Sequence, residues 1–298
     1  MEVVAGVQHI NLNPLIAQAV ALATNANAFL LGRRDEPAEL VGTHSAFRTT
    51  FEATFDRLGP KDRPYSLADG SAPWFRRLRK EEVSRMFFVL SPLAAERSAR
   101  VAGLPEPRWG LVTEGDVGTE LWAPNWTIRI GINAREIAAP WKASWQAQKT
   151  DRTILRGDVS LCDAMENLSI ALRNICSFVR ALGGDEERVT YEELMEALSD
   201  EVVIPKIQSY PDLFDAPSLS REARRTGTFA AMALGLFIAS GWKDRKIDHE
   251  QVQDAFDAAR NEVWQTAVTA LQSVVNSTAE TLSVSPAADD LGSADLAA

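Results

Sequence analysis

The sequence predicts a mainly α-helical protein, a bundle of about eight helices with a small two- or three-stranded β element near residues 108–132. Two observations predict the bundle. Apolar residues recur at intervals of three and four over long stretches, and helix start and stop residues stand at the ends of those stretches. A third observation marks the β element, where Gly and Pro gather and the apolar period shortens to two.

The first element is an Ala-rich run from Leu12 to Leu31, read as a helix that stops near Gly32. Ser45 to Leu58 carries Phe47, Phe51 and Phe55 at a spacing of four, which on a helix puts three rings on one face. Gly59-Pro60 ends it, and residues 59–72 read as a connection rich in Pro, Gly and Asp. Pro73 opens a helix near Trp74 and Ser91-Pro92 opens another, because the fixed φ of proline suits a first turn. Thr127 to Ile132 alternates strictly and reads as a strand with its isoleucines inward. Trp109–Thr113 and Thr119–Trp122 are its expected pairing partners. Asn133 and Glu136 then form a capping box for a helix running through Trp141 and Trp145.

The strongest helical pattern runs from Asp158 to Leu182. Leu161, Met165, Leu168, Leu172, Ile175, Val179 and Leu182 make one seam, with Asp158 as cap and Gly183-Gly184 as terminator. Thr190 and Glu193 cap a short helix ending near Val202, and Pro205, Pro211 and Pro217 mark a loop. A helix from about Ser220 to Trp242 is apolar nearly all round after Phe229, so it is expected to be buried. Asp248 and Gln251 cap a last long helix to about Leu282, and the small acidic tail reads as disordered. The expected division is a helical region with its β element at 1–150, a helical bundle at 151–283 and a tail at 284–298. A single compact domain satisfies the same pattern.

Chemistry-bearing motifs are sparse. The chain of 298 residues has three His, all isolated in sequence, and two Cys. It lacks the His-Glu-x-x-His, Cys-x-x-Cys, Gly-x-Gly-x-x-Gly and phosphate-loop patterns, so neither metal nor cofactor is expected. Cys162 and Cys176 lie on one predicted helix about 21 Å apart, too far for a disulfide, and both are placed near the buried seam. A reduced, cytoplasmic setting follows, with no membrane partner, since Phe229–Ala239 is too short to span a bilayer and the start lacks a signal peptide.

Charge is uneven. Residues 1–150 hold 18 Lys/Arg and 16 Asp/Glu, a balance of +2; with −10 for the whole chain, residues 151–298 carry −12. Such ends attract one another between copies, or form two solvated faces. Arg221, Arg224 and Arg225 crowd a predicted helix start, where the dipole disfavours cations, and an anion is expected there: an acidic segment such as Asp185-Glu186-Glu187, or a phosphate. Trp74, Arg76, Arg77, Arg79 and Lys80 form a second cluster, combining an aromatic ring with cations as single-strand nucleic-acid grooves do. Glu81-Glu82 and the overall acidity weigh against that use. Trp109, Trp122, Trp126, Trp141 and Trp145 read as a local core, or as an aromatic pocket or interface.

Leu172-Arg173-Asn174-Ile175-Cys176 resembles a Leu-Arg-x-x-Cys helix of the coat proteins of flexuous filamentous RNA viruses. Phe229-Ala230-Ala231 is similar to their later Phe-Ala-Ala segment, in the same order. Met232 and Ala233 stand where that pattern has an acidic residue, the spacing is longer, and these few residues assign no family. The expected function is a non-enzymatic, self-assembling structural or scaffold protein of coat or nucleocapsid kind, contacting itself and RNA or another phosphate-bearing ligand. The competing expectations are a small-molecule binder or enzyme with a Trp-lined pocket that uses Arg129 or Arg135, and a protein–protein adaptor.

Overall fold

Six strands form a single mixed sheet, which overturns the mainly α bundle of eight helices and the all-α class. The computed structural model describes residues 12–59, 63–90, 109–116, 118–128, 139–149, 159–182, 192–196, 198–199, 207–239 and 250–279. Of these, 52% are helical and 25% lie in strands. The tail, the helix expected after Ser91-Pro92 and the region 129–138 lie outside the described residues.

The strands are β1 (Thr50–Leu58), β2 (Pro64–Asp69), β3 (Val83–Leu90), β4 (Trp109–Gly115), β5 (Gly118–Ile128) and β6 (Trp141–Lys149), in the order β2-β1-β6-β5-β4-β3. β1 runs parallel to β6 and every other pair is antiparallel. Trp109–Thr113 and Thr119–Trp122 are strand residues as expected, but they pair with each other, Leu111 opposite Trp122, and not with a third strand at Thr127, because Thr119–Trp122 and Thr127-Ile128 lie on the one strand β5. Of the isoleucines expected inward, Ile128 is 65% exposed, and Ile130 and Ile132 lie outside the described residues.

Two predicted helices are strands, for one physical reason. A spacing of four keeps side chains together on a helix face, but it also keeps them together on a strand, where every even step returns to the same side. Phe51 and Phe55 lie on β1, while Phe47 belongs to a short 3₁₀ turn, Ser45–Phe47. Trp141 and Trp145 lie on β6, whose residues Ala143, Trp145 and Ala147 are buried while Lys142, Ser144 and Gln146 are not. This period of two is legible in Trp141–Gln148; Asn133 and Glu136 lie outside the described residues.

The long helices are α1 (Pro14–Leu30), α2 (Ser71–Lys80), α3 (Leu161–Leu182), α4 (Arg221–Ala239) and α5 (Glu250–Ser277), and residues 192–196 and 198–199 are helical too, within the short helix expected there. α1 is buried from Ile16 to Phe29. It meets the sheet through Gln18, whose Nε2 donates to Thr50 Oγ1 at 2.9 Å, and the loop before α4 through Ser218, which donates to Thr24 O at 3.3 Å. α2 packs its apolar side on the same sheet face. Trp74 stacks on Phe55 with centroids 4.0 Å apart and meets Trp122 edge-on at 4.9 Å. Ala53, Phe55, Trp122, Leu111, Met86 and Phe88 complete that buried face. In α3 the predicted seam holds at Leu168, Leu172, Ile175 and Val179, all buried, with Leu161 and Met165 half-buried. Cys176 is buried there, and burial pushes its thiol up to about 11. Cys162 is exposed, against the expectation that both cysteines sit in the core.

Both sheet edges are guarded. At the β3 edge, Met86 lies opposite Thr113 and its amide N–H and C=O point outward. The side chain of Asn27 takes both: Met86 N donates to Oδ1 at 2.8 Å, and Nδ2 donates to Met86 O at 2.8 Å. Nδ2 also donates to Thr278 Oγ1 at 2.8 Å, and Phe88 N donates to Asn276 Oδ1 at 3.1 Å. Asparagines from α1 and α5 thus stand in for a neighbouring strand. At the β2 edge, Pro64 offers no N–H, and the register with β1 shifts between Phe55 and Asp56.

Candidate functional site

Arg224 and Arg225 at the start of α4 are directed at carbonyl oxygens. Arg224 Nε donates to Leu219 O at 3.3 Å and its NH2 to Ala216 O at 3.5 Å, while Arg225 NH2 donates to Leu198 O at 2.6 Å. Helical side chains lean toward the N-terminus, so the guanidinium groups reach back to carbonyl oxygens that precede α4, Arg224 to the adjoining loop and Arg225 to Leu198. Ser220 caps the helix by accepting from Ala223 N at 3.0 Å, and Glu222 places an acid in the first turn. Arg221 is exposed. The Asp185–Glu187 segment lies outside the described residues.

The second cluster divides. Trp74 is fully buried with its ring stacked on Phe55, which leaves no face for a nucleic-acid base. Arg77, Arg79 and Lys80 lie in the last turn of α2, where the dipole favours them. The N-terminal amides are served by Glu39, which accepts from Ser71 N at 3.3 Å and Ala72 N at 3.2 Å across Gly70, a residue at φ +87°. Arg79 lies 3.6 Å over the Phe29 ring and donates to Phe29 O. Arg76, Arg77 and Lys80 remain on an exposed face. Arg76 reaches Glu36 at 3.4 Å with both side chains largely in solvent, and Arg77 pairs with Glu81 at 2.6 Å.

The tryptophans are core and strand residues. Trp122 and Trp145 are fully buried, and Trp122 Nε1 donates to Thr113 Oγ1 at 3.0 Å. Trp126 and Trp141 are half-buried, and Trp109 opens β4. Trp74, Trp122 and Phe55 fill the space between α2 and the sheet with their own rings. Arg129 and Arg135 lie outside the described residues.

Two polar clusters escaped the sequence reading, because the fold joins residues far apart in the chain. Arg57 bridges Glu81 at 2.8 Å and Glu120 at 2.8 Å, tying α2 to β1 and β5. Burial alone would raise Glu81, but hydrogen bonds from Arg57 and Arg77 outweigh it and hold the carboxyl below its ordinary range. The other cluster sets His44 and Ser45 against Asp212. Asp212 accepts from Ser45 N at 3.1 Å and from Ser45 Oγ, and His44 Nδ1 accepts from Ala46 N at 3.1 Å. Because Nδ1 uses its lone pair on that amide, its 3.6 Å approach to Asp212 is not an ion pair. Serine, histidine and aspartate meet here as turn caps, without the serine-to-imidazole hydrogen bond of a nucleophilic triad. The chain matches no known protein family, no characterised protein and no solved structure.

Burial lowers the His44 pKa, against the opposing pull of Asp212 and Asp215. Folding therefore favours the neutral imidazole, and this stability is complete above the ordinary histidine value of about 6.5 and lost as pH falls toward the folded value. Glu81, also lowered, contributes above the ordinary carboxylate range and loses its share at more acid pH. Urea midpoints measured from pH 7 to 5 are expected to fall for the wild type. They are expected to be flatter for His44→Asn, which keeps a capping acceptor but does not titrate.

Shape adds one more feature. Among the described residues, no group of acids, His and Cys suits a metal, and no helix is long and apolar enough to cross a membrane. Between α3 and α5 runs a shallow groove of about 600 Å³, lined by Asn174, Phe178, Ala255, Ala258, Ala259 and Glu262. α5 carries four acids against one arginine, and of these Asp254 and Glu262 are exposed.

Proposed function

We propose that the protein is a structural, self-associating component of the coat or scaffold kind, whose copies join head to tail through oppositely charged surfaces. One observation carries the reading. The end of α2 presents exposed Lys80 beside Arg76 and Arg77, which pair with Glu36 and Glu81 of the same chain, while α5 presents Asp254 and Glu262 on a different surface. Like-with-like contact at either patch would set equal charges together, so complementarity favours a heterologous interface. Support also comes from how the polar clusters are used. Arg224, Arg225, His44 and Asp212 are bonded to backbone groups or neighbouring loops, and Trp74, Trp122 and Trp145 fill the core. The guarded sheet edges favour association through helix faces over strand pairing.

Light scattering on the full chain tests this. At low ionic strength the weight-average mass is expected to rise with concentration above the 32.7 kDa of one chain. It is expected to return toward that mass near 0.5 M salt, where the screening length falls to about 4 Å. A strict monomer at high concentration and low salt contradicts the reading. A raised 260/280 absorbance ratio, lost together with the larger species in salt, would transfer the α2 cations to a nucleic-acid partner.

A further inference from the structure

Resting on the head-to-tail reading, we propose that the α3–α5 groove is the acceptor surface, and that a second copy enters it with Tyr65 and the basic end of its α2. The donor patch is contiguous. Tyr65 is 47% exposed on the β2 edge and pairs in register with Arg57. Arg57 holds Glu81 at 2.8 Å, and Glu81 holds Arg77 at 2.6 Å, so the exposed ring and the last turn of α2 form one surface. Arg57 and Arg77 are balanced there by Glu81 and Glu120, and Glu82 is exposed alongside, so exposed Lys80 is the cation that the patch offers a partner. An amphipathic ring beside cations is the composition of an interface anchor.

The groove answers both properties. Alanines at 255, 258 and 259 leave a floor without side chains beyond Cβ, and half-buried Phe178 forms a wall braced edge-on by Phe256 at 6.3 Å. Glu262 stands on the α5 rim, 3.4 Å from Asn174 Nδ2, with exposed Asp254 two turns away. Arg173 is exposed on α3 just before Asn174, so an incoming basic end is favoured over the α5 side, with the ring pointing between the helices. Donor and acceptor are different surfaces of one chain. Each added copy therefore leaves another groove and another patch free, and growth ends only in a ring or continues as a filament.

Sedimentation equilibrium of the full chain at low salt reads the dissociation constant. Tyr65→Ser and Ala258→Trp, at exposed sites, are each expected to weaken association by about tenfold or more, one removing the anchor and the other filling the groove. Lys80→Glu and Glu262→Lys are each expected to weaken it, and combined in one chain to restore it to within about threefold of wild type. If Tyr65→Ser and Ala258→Trp associate like the wild type while Lys80→Glu does not, the groove is the wrong acceptor although head-to-tail assembly survives. If the wild type itself stays monomeric, assembly and acceptor fall together.

Discussion

Replacing Asn27 with alanine is expected to lower folding stability by about 3–5 kcal/mol, a large share of what a domain normally has. Asn27 is fully buried, and its amide holds the outward N–H and C=O of Met86 and the hydroxyl of Thr278. Truncation leaves the two Met86 groups without partners in an apolar setting, and each unsatisfied buried group costs about 1–3 kcal/mol. Thr278 loses less, because its hydroxyl still donates to Val275 O at 2.6 Å. Asn25, two residues earlier, is the matched control. Its Nδ2 donates to Ala21 O inside the same helix at 2.9 Å, and Arg34 donates to its Oδ1 at 3.3 Å. Asn25→Ala is expected to cost about 1 kcal/mol, since no strand edge depends on it. Urea denaturation of the two variants side by side reads the difference, and equal losses would mean that the asparagine clasp does not secure the β3 edge.

The clasp also shows what a linear reading reaches and what it does not. All five long helices were legible because their apolar spacing and end residues agree, and α3 and α4 lie within three residues of their expected limits. Of the sheet, only β4 and parts of β5 were legible. Phe51 and Phe55, like Trp141 and Trp145, repeat at an interval of four, which helix and strand share. β3 hides differently. Met86-Phe87-Phe88-Val89 is apolar at every position because both its faces are covered, Met86 and Phe88 by the main core and Phe87 and Val89 by a smaller one with Val112.

Candidate site residues divide along the same line. Which side chains are cationic or aromatic is written in the chain, but their partners are set by the fold. Trp74 reads as an aromatic beside arginines, yet its helix turns it onto Phe55 and leaves only the cations outside. The arginines of α4 read as seekers of an anion, and two of them find carbonyl oxygens instead, one supplied by Leu198 and so by a segment distant in sequence. His44 and Asp212 are 168 residues apart, and no local spacing announces their meeting.

The most direct test of head-to-tail association uses two disabled chains. One carries Tyr65→Ser and Lys80→Ser, which spoil the donor patch and leave the groove intact. The other carries Ala258→Trp and Glu262→Ser, which spoil the groove and leave the donor patch intact. Alone, each is expected to sediment as a monomer at low salt. Mixed in equal amounts they share one intact interface, and association is expected to stop at twice the 32.7 kDa chain mass. A mixture that stays monomeric, or one that grows beyond the dimer, contradicts the account.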